Sequence, residues 1–338
     1  MVQGRTRRSR GGCRLRVLLS GYYGFGNTGD EAILRAMVLE WQALGHQPLA
    51  LSADPERTSR KYAIPAYGRA EPWALLRALQ GCDLLVSGGG GLLQDQTSKR
   101  TLQYYLGLIR LAKLLGKPAV IFNQSAGPLS SSGRASVARA LRGVRVWVRD
   151  RQSQTLLRAL GIEARLGGDP ALLLRANPVG QDPQQVILAP RGGHPELTTR
   201  LVQLARRLQE RGLRPLALAF QPSQDDPETE LIARSTGCAV LSTSDPQVAI
   251  DHIAGSAFVV GVRLHALILA AAARIPFLGL AYDPKVRGFC EDAGAPWTNV
   301  GFGVEEVAEQ VSSLQPPDWD EVAAMQERAK RSFLEAQP

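Results

Sequence analysis

Four residues in the second half of the sequence carry a positive charge or a titratable ring and lie where buried strands are expected to end. Arg191 follows the apolar run "VILAP", Arg263 and His265 follow "FVVG", and Lys285 follows "FLGLA". Because parallel strands end at the same edge of a sheet, we expect these side chains to meet there. Positive charges placed together repel one another unless an anion joins them. The cluster therefore predicts a site for a small, highly charged anion.

A glycine-rich loop near the start of the chain has the spacing of a dinucleotide-binding fingerprint. The stretch "RVLLSGYYGFGNTGDEAIL" fits G-x-G-x-x-G, and Asp54 lies 25 positions after the third glycine, near where a ribose-binding acid is expected. Asp30 and Glu31 follow that glycine directly, in the predicted first turn of a helix. Two carboxylates at a helix N-terminus repel a pyrophosphate, so the loop argues against an NAD-dependent enzyme.

Two further loops follow predicted strands. "SGGGGLLQD" contains four consecutive glycines, Gly88 to Gly91, which allow a backbone to approach a ligand or another segment closely. "NQSAGPL" offers Gln124 and Ser125, which suit either hydrogen bonds to a sugar or a structural turn. In "VRDRQS", Asp150 is expected to cap a helix. These loops are weaker indications of a site than the cluster of cations.

Composition limits the classes of protein that need to be considered. The 338 residues carry a formal net charge of +9, which favours anionic partners such as phosphorylated metabolites, a membrane surface or nucleic acid. The four cysteines are scattered, without C-x-x-C pairs or histidines at metal-ligand spacing, so we expect neither a zinc site nor a disulfide framework. We predict no metal and no cofactor, and a reducing cytoplasm as the location.

The first 14 residues form a basic tail. Its arginines fit either a solvated tail or attraction to anionic lipid at the inner face of the cell membrane. The apolar run behind the tail, Val17 to Leu19, is too short for the core of a signal peptide. No run approaches the length of a membrane-spanning helix, so any membrane contact is expected to be peripheral.

The elements that must position these residues alternate short apolar runs with longer helical patterns. The alternation predicts an α/β protein with two doubly wound, Rossmann-like domains and a cleft between them, the cleft facing the carboxyl ends of the strands. "NPVGQDPQQ" is typical of a linker. We predict a tail at 1–14, an N-terminal domain at 15–176, a C-terminal domain at 177–302 and a helical segment at 303–338 that packs back on the N-terminal domain.

The order of these motifs resembles a known family. "SGYYGFGNTGDEAIL", "VSGGGGLLQD", "VRDRQS", "GVRLHALILAA" and "YDPKV", spread over nearly the whole chain, are similar to the CsaB-type polysaccharide pyruvyl transferases. The resemblance implies a fold similar to that of GT-B glycosyltransferases and transfer of the pyruvyl group of phosphoenolpyruvate to a sugar, as a cyclic ketal, with release of phosphate. It also implies an N-acetylmannosamine of a cell-wall polymer or its lipid-linked precursor as acceptor, whose ketal anchors S-layer proteins.

The resemblance assigns roles to the residues. Arg191, Arg263 and, through "VRDRQS", Arg149 would bind the donor, because guanidinium forks suit carboxylate and phosphate groups. Lys285 would act as a point charge on the leaving phosphate, and His265, with an ordinary pKa near 6.5, would transfer a proton. The residues expected on the acceptor side are Tyr22, Tyr23, Asn27, Asp30, Glu31 and Asp95.

Two alternatives remain. A nucleotide-sugar glycosyltransferase of the same architecture would use Arg263 and Lys285 to hold a diphosphate and would not need His265. A noncatalytic protein that binds nucleic acid or lipid through its net charge would spread its basic residues as a surface stripe. Because the unusual residues collect at strand ends, we rank pyruvyl transfer first and expect no nucleic-acid partner.

Overall fold

The computed structural model describes residues 14–96 and 98–338. The basic tail predicted for residues 1–14 therefore lies outside the described residues, except for Arg14.

The first half of the chain forms a parallel sheet of seven strands in the order β3-β2-β1-β4-β5-β6-β7. Its strands are β1 (Arg16–Ser20), β2 (Gln47–Ser52), β3 (Ala66–Gly68), β4 (Leu84–Gly88), β5 (Ala119–Gln124), β6 (Arg145–Val148) and β7 (Arg165–Leu166). Its helices are α1 (Thr28–Ala43), α2 (Pro55–Tyr62), α3 (Pro72–Gln80), α4 (Lys99–Leu114), α5 (Ser131–Ala140) and α6 (Arg151–Ala159), followed by a short 3-10 helix (Pro170–Leu173).

The second half forms another parallel sheet, of six strands in the order β10-β9-β8-β11-β12-β13. Its strands are β8 (Gln185–Ala189), β9 (Arg214–Ala219), β10 (Ala239–Ser242), β11 (Phe258–Gly261), β12 (Phe277–Ala281) and β13 (Trp297–Asn299). The helices of this half and of the chain end are α7 (Pro195–Glu210), α8 (Pro222–Thr236), α9 (Pro246–Ala254), α10 (Leu264–Ala272), α11 (Pro284–Asp292), α12 (Val304–Ser312) and α13 (Trp319–Glu335).

The predicted α/β fold with two doubly wound domains is confirmed. Each sheet reverses its strand order once, between β1 and β4 in the first and between β8 and β11 in the second. Each apolar run that was predicted to be a strand coincides with a strand to within one residue at its ends. Residues such as Val17 to Leu19 are buried because both faces of the parallel sheet are covered. No strand was predicted at β2, although its residues are buried, or at the short edge strands β3, β7 and β13, which carry too few apolar residues to form a run.

The chain end contacts both halves. Helix α12 packs against α7 of the C-terminal domain, whereas α13 crosses back and packs against α1, β5 and the 3-10 helix. The Phe333 ring meets those of Trp41 and Phe122 edge to face, with centroids 5.4 and 4.7 Å apart. The Asn123 side chain donates to Ser332 Oγ at 2.8 Å. The two domains are therefore joined by two chain crossings.

Direct contacts also hold the domains against each other at the start of α1. The Thr28 amide donates to the Phe220 carbonyl at 2.8 Å, and the Thr28 hydroxyl donates to the Thr243 carbonyl at 2.6 Å. Nearby, Lys61 forms an ion pair with Asp245 at 3.5 Å. These contacts bring the amino end of α1 close to the C-terminal domain.

None of the helices in the described part of the chain is both long and apolar enough to cross a membrane. Cys82, Cys238 and Cys290 carry free thiols. Within residues 14–96 and 98–338, no group of histidine, cysteine and acidic side chains is arranged to hold a metal ion.

Candidate active site in the interdomain cleft

A cavity of about 240 Å³ lies between the two domains, where the carboxyl ends of both sheets face each other. The loops after β1 and β4 form one wall, and the loops after β8, β11 and β12 form the other. The polar and charged residues that line it are Asn27, Asp30, Gln94, Gln96, Arg191, Arg263, His265, Asp283 and Lys285, together with Tyr282. The cavity thus brings together the four residues from which the anion site was predicted.

Arg263 is fixed by a buried carboxylate. It occupies the N-cap position of α10, but its side chain makes no capping hydrogen bond and turns toward α8. There Nε donates to Asp225 Oδ2 at 2.9 Å, and a terminal nitrogen donates to Asp225 Oδ1 at 2.5 Å. The same terminal nitrogen also donates to Gln224 Oε1 at 3.3 Å. Because the fully buried Asp225 and Gln224 engage only one edge of the guanidinium group, they fix its orientation while Arg263 still lines the cavity.

Arg191 is held by an aromatic ring. Its guanidinium lies over the ring of Tyr282, with Cζ 4.7 Å from the ring centroid, and a terminal nitrogen donates to the Tyr282 hydroxyl of the same side chain. Among the described residues, no carboxylate lies within ion-pair distance of Arg191 or of Lys285. Both positive charges are therefore available to a ligand.

Arg149 lies behind the cleft rather than in its wall. It forms an ion pair with Asp169 at 2.6 Å and donates from Nε to Ser125 Oγ at 2.7 Å, and the Ser125 hydroxyl donates to Asp150. These groups line a second, much smaller cavity of about 20 Å³. Lys285 lines both cavities, so it stands between Arg149 and the cleft.

An anionic partner within the protein is therefore already present for Arg263, and Arg149 is paired in the same way. Each has a buried carboxylate, Asp225 or Asp169, that offsets the repulsion before any ligand binds. Neither acid was singled out in the sequence, where each precedes a proline by one or two positions in "DDP" and "GDP". Arg191 and Lys285 have no such carboxylate among the described residues.

The glycines of the N-terminal loops make room for side chains of the other domain. A Cβ atom on Gly29 would lie 2.1 Å from Nδ1 of His265, and one on Gly91 would lie 2.7 Å from Nζ of Lys285. The amides of Gly29 and Asp30 donate to the Asn27 side chain at 2.9 and 3.3 Å. These contacts occupy the space and two of the N–H groups that a pyrophosphate would need.

Burial changes the ionisation of the two titratable groups at the centre of the cleft. It lowers the pKa of His265 to about 4, with Arg149 and Arg263 acting in the same direction and Asp169, 3.8 Å away, opposing them. Burial raises the pKa of Asp30 to about 7, chiefly against the opposing effect of Arg149. At neutral pH the imidazole is therefore neutral, and Asp30 is present in both protonation states.

The pKa of Lys285 is lowered as well. Burial is the main cause, and the charges of Arg149 and Arg191 act in the same direction, whereas Asp283 and Asp150 oppose them. An anion bound beside Lys285 would reverse this shift, because it favours the charged ammonium.

The structure places the six predicted acceptor-side residues in different surroundings. Asn27 and Asp30 line the cleft. Tyr22 stacks on Phe25 in the loop after β1, with ring centroids 4.1 Å apart. The side chains outside the cleft cavity are those of Tyr22, Tyr23, Glu31 and Asp95.

Three of these side chains make contacts within the N-terminal domain. The buried Tyr23 hydroxyl donates to the Gly88 carbonyl at 2.8 Å. Glu31 accepts from the Gly24 amide at 2.9 Å and from the Tyr62 hydroxyl at 2.5 Å. Asp95 accepts from the amide and the hydroxyl of Ser130 at the start of α5.

Comparisons with solved structures support the two-domain architecture. Anabaena HepE in complex with UDP and glucose superimposes with a TM-score of 0.61 at 12% sequence identity, covering 95% of this chain and 99% of that one. UDP-GlcNAc 2-epimerase from Neisseria meningitidis gives 0.57 at 12% identity, covering 95% and 99%. A glycosyltransferase from Rickettsia africae gives 0.57 at 12% identity, covering 96% and 94%. At these identities the likeness concerns the fold, which is similar to that of GT-B glycosyltransferases.

Sequence comparison identifies the family. No curated protein sequence matches the chain significantly. The family profile described as "Polysaccharide pyruvyl transferase" matches residues 27–284, about three quarters of the chain. This range includes the charged residues that line the cleft except Lys285, which follows it directly. The chain therefore belongs to the polysaccharide pyruvyl transferase family.

Proposed function

We propose that this protein transfers the pyruvyl group of phosphoenolpyruvate to a sugar of a cell-wall polymer or of its lipid-linked precursor, with N-acetylmannosamine as the acceptor. The product is a cyclic ketal, and phosphate is released. The observation that carries the proposal is the set of cations around the cleft, in which Arg191 and Lys285 have no carboxylate partner among the described residues.

The size and charge of the cavity suit such a donor. Pockets for drug-sized ligands run from about 300 Å³ upward, and the cleft cavity is smaller, at about 240 Å³. Phosphoenolpyruvate carries its carboxylate and its phosphate on the same carbon atom, so it needs two cationic sites close together. Arg191 and Arg263 supply planar forks for one or both anionic groups, and Lys285 supplies a mobile charge for the phosphate.

Ketal formation requires four changes in bonding. The methylene carbon of the donor gains a proton, and one sugar hydroxyl adds to the adjacent carbon and loses its proton. A second hydroxyl then forms a bond to that same carbon and gives its proton to the departing phosphate, as the bond from carbon to phosphate oxygen breaks. The phosphate leaves with the bonding electrons, so charge grows on its oxygens as it departs, and Lys285 is placed to stabilise that charge.

We assign to His265 the donation of the proton that the methylene carbon gains. The ring is neutral in the free protein, because burial lowers its pKa to about 4. Two bound anionic groups would raise that pKa, so His265 would become an acid only when a double bond is present to accept the proton. His265→Gln is then expected to keep donor binding and to lose at least about a hundredfold in turnover.

We assign to Asp30 the removal of the proton from the acceptor hydroxyl. Asp30 faces His265 and Lys285 from the N-terminal side of the cleft. Its pKa of about 7 allows the carboxylate to take a proton near neutrality. Asn27, also in the cleft wall, offers an amide to sugar hydroxyls. Reaction in the cytoplasm, or at the inner face of the membrane where the acceptor is lipid-linked, is part of this proposal.

The test combines product analysis with ligand protection. Incubation with phosphoenolpyruvate and candidate acceptors, including a lipid-linked N-acetylmannosamine disaccharide, should release phosphate only when both substrates are present. In deuterated water the ketal methyl group should carry deuterium. Phosphoenolpyruvate alone should raise the melting temperature of the wild-type protein and should do so much less for Arg191→Ala. Absence of both phosphate release and protection would contradict the proposal.

A nucleotide-sugar glycosyltransferase is the second candidate, because the structural neighbours include a protein bound to UDP and glucose. In that reaction Arg263 and Lys285 would hold the diphosphate. The two functions differ in their ligands: protection by UDP-sugars, without protection by phosphoenolpyruvate, would favour the glycosyltransferase. Normal turnover of His265→Gln with a UDP-sugar would support the same conclusion.

A further inference from the structure

The positive charge of this protein is concentrated in two segments, the basic tail, whose 14 residues include five arginines and no acid, and residues 96–149 of the folded part. Residues 96–149 contain ten lysines and arginines and no aspartate or glutamate. Removing those ten charges from the formal net charge of +9 leaves −1 for all other residues together. The excess charge noted in the composition is therefore a local property rather than an even bias toward arginine.

The fold turns much of this segment outward on one side of the N-terminal domain. Helices α4 and α5 pack side by side, with Leu106 and Val137 buried against the sheet. Their opposite sides and the turn after α5 form an exposed surface that we call the basic face. Its exposed cations are Lys99, Arg100, Arg110, Lys113, Arg134, Arg139 and Arg142.

Two large apolar side chains are exposed on the same side of the N-terminal domain. Leu114, at the end of α4, is 83% exposed, and Trp73, on the neighbouring α3, is 81% exposed. Helix α3 packs beside α4 on the same side of the sheet, through Leu79 and Leu108. Exposed tryptophan and leucine side chains at or beside a basic surface are typical of proteins that insert side chains at a membrane interface.

The basic face also adjoins the cleft. Gln96 lines the cleft cavity, and α4 begins three positions later at Lys99. A surface that contacted the basic face would therefore lie beside the cleft opening.

We propose that the basic face is a docking surface for an anionic lipid bilayer, with Leu114 and Trp73 inserted among the headgroups and the cleft opening held at the membrane surface. The proposal does not depend on the reaction assigned to the cleft, because docking requires neither donor nor acceptor. It differs from attraction through the basic tail, because the charges involved belong to the folded domain.

Lipid fits this surface better than nucleic acid does. A nucleic-acid site is expected to present cations along a groove with aromatic faces for stacking. Here the cations are spread over two neighbouring helices, and aliphatic Leu114 lies directly after Lys113. Phosphates of a planar bilayer can meet all these charges at once, and the acyl region can accept the two apolar side chains.

Sedimentation with phosphatidylcholine vesicles, with and without phosphatidylglycerol, tests the charged part of the proposal. The full chain should bind only vesicles that contain phosphatidylglycerol. Arg110→Glu/Arg139→Glu should weaken this binding by at least about tenfold. The control Arg206→Glu/Arg234→Glu makes the same change in net charge at exposed positions of the C-terminal domain and should weaken it much less. Equal binding by the α4–α5 variant and the wild type would assign the attraction to the tail and overturn the proposal.

The apolar part is tested by Leu114→Ser, with Leu334→Ser as the control at an exposed leucine elsewhere. Leu114→Ser should weaken vesicle binding several-fold, most clearly at raised salt where electrostatic attraction is screened. A single-stranded oligonucleotide is the competing probe. Tighter binding of the oligonucleotide than of vesicles at equal salt, with no effect of Leu114→Ser, would identify a nucleic-acid surface instead.

Discussion

The two walls of the cleft differ in the kind of residue that each contributes. The C-terminal wall consists of long charged or titratable side chains, Arg191, Arg263, His265 and Lys285. The N-terminal wall combines shorter polar side chains, such as Asn27 and Asp30, with glycines that lie where a Cβ atom would collide with His265 or Lys285. The C-terminal domain thus supplies all the cationic groups, and the glycines of the other domain leave the space into which two of these side chains fit.

The difference between the walls shows that the opposite domain can determine which residue a loop position accepts. Neither Gly29 nor Gly91 has a positive φ, so their own backbone does not require glycine. The requirement arises from the approach of a side chain more than 190 residues away in the sequence. Substitutions on either wall should therefore affect the same chemistry.

Substitution of Asp30 is expected to have the largest effect, because its carboxyl is the group on the N-terminal wall that we propose as the base. With Asp30 as the base, kcat/KM of the wild type should rise with pH through about 7. Asp30→Asn should reduce turnover by about a hundredfold or more and should remove that rise. A pH profile of phosphate release measures both. An unchanged rise near pH 7 would assign it to another group.

The same carboxyl predicts a change in stability with pH. Burial raises the pKa of Asp30 in the folded protein, so the folded state binds more protons than the unfolded state between the ordinary pKa of the carboxyl and about 7. The stability associated with the protonated carboxyl is therefore lost as pH rises through this range. The melting temperature of Asp30→Asn relative to the wild type should be higher at pH 8 than at pH 4.

Gly29→Ala would break the fit between the walls at His265. Its Cβ would lie 2.1 Å from the imidazole, so the ring or the domain must move. A displacement of about 1 Å can cost about a hundredfold in rate. Turnover should fall by up to that factor with smaller changes in donor affinity. The matched control is Gly107→Ala in α4, where nothing lies within 4 Å. Full activity of Gly29→Ala would mean that the walls do not close this tightly during turnover.

Gly91→Ala should have a smaller effect of the same kind. The colliding atom is Nζ of Lys285, the far end of a flexible side chain, 2.7 Å from the new Cβ. Lys285 can swing aside, so we expect a loss of about tenfold in turnover, measured as phosphate release at saturating donor. A loss as large as that of Lys285→Ala would indicate that the lysine cannot adjust.

Glu31→Gln is expected to affect stability rather than catalysis. Glu31 accepts from the Gly24 amide and the Tyr62 hydroxyl, and glutamine can replace only part of this pattern because it has a single acceptor oxygen. The melting temperature should fall by about 2 to 6 °C, with KM for the acceptor unchanged. Exposed Glu56→Gln on α2 is the control. A raised acceptor KM without a change in melting temperature would return Glu31 to the acceptor side.

The sequence predicted the fold and the meeting of Arg191, Arg263, His265 and Lys285 because both depend on local patterns. Apolar runs identify strands, and parallel strands bring their following loops to one edge. The partners of the arginines could not be predicted in this way. Asp225 reaches Arg263 from α8, 38 positions earlier, and the pairing depends on how that helix packs.

The surroundings of the acidic residues were equally hidden. Asp30 and Glu31 are adjacent in the sequence and were predicted to serve together. A helix directs neighbouring side chains about 100° apart, so Asp30 points into the cleft and Glu31 points toward Tyr62. The sequence places both residues in the first turn of α1, but it does not determine which side of that turn faces the other domain.

The return of α13 to the N-terminal domain has a mechanical consequence. The chain crosses between the domains twice, once before β8 and once between α12 and α13. A body attached at two points turns easily about the line through those points and resists twisting about any other axis. We therefore expect the cleft to open by a hinge rotation about the line through the two chain crossings. Each closure would return the His265 ring to the gap at Gly29 along the same arc.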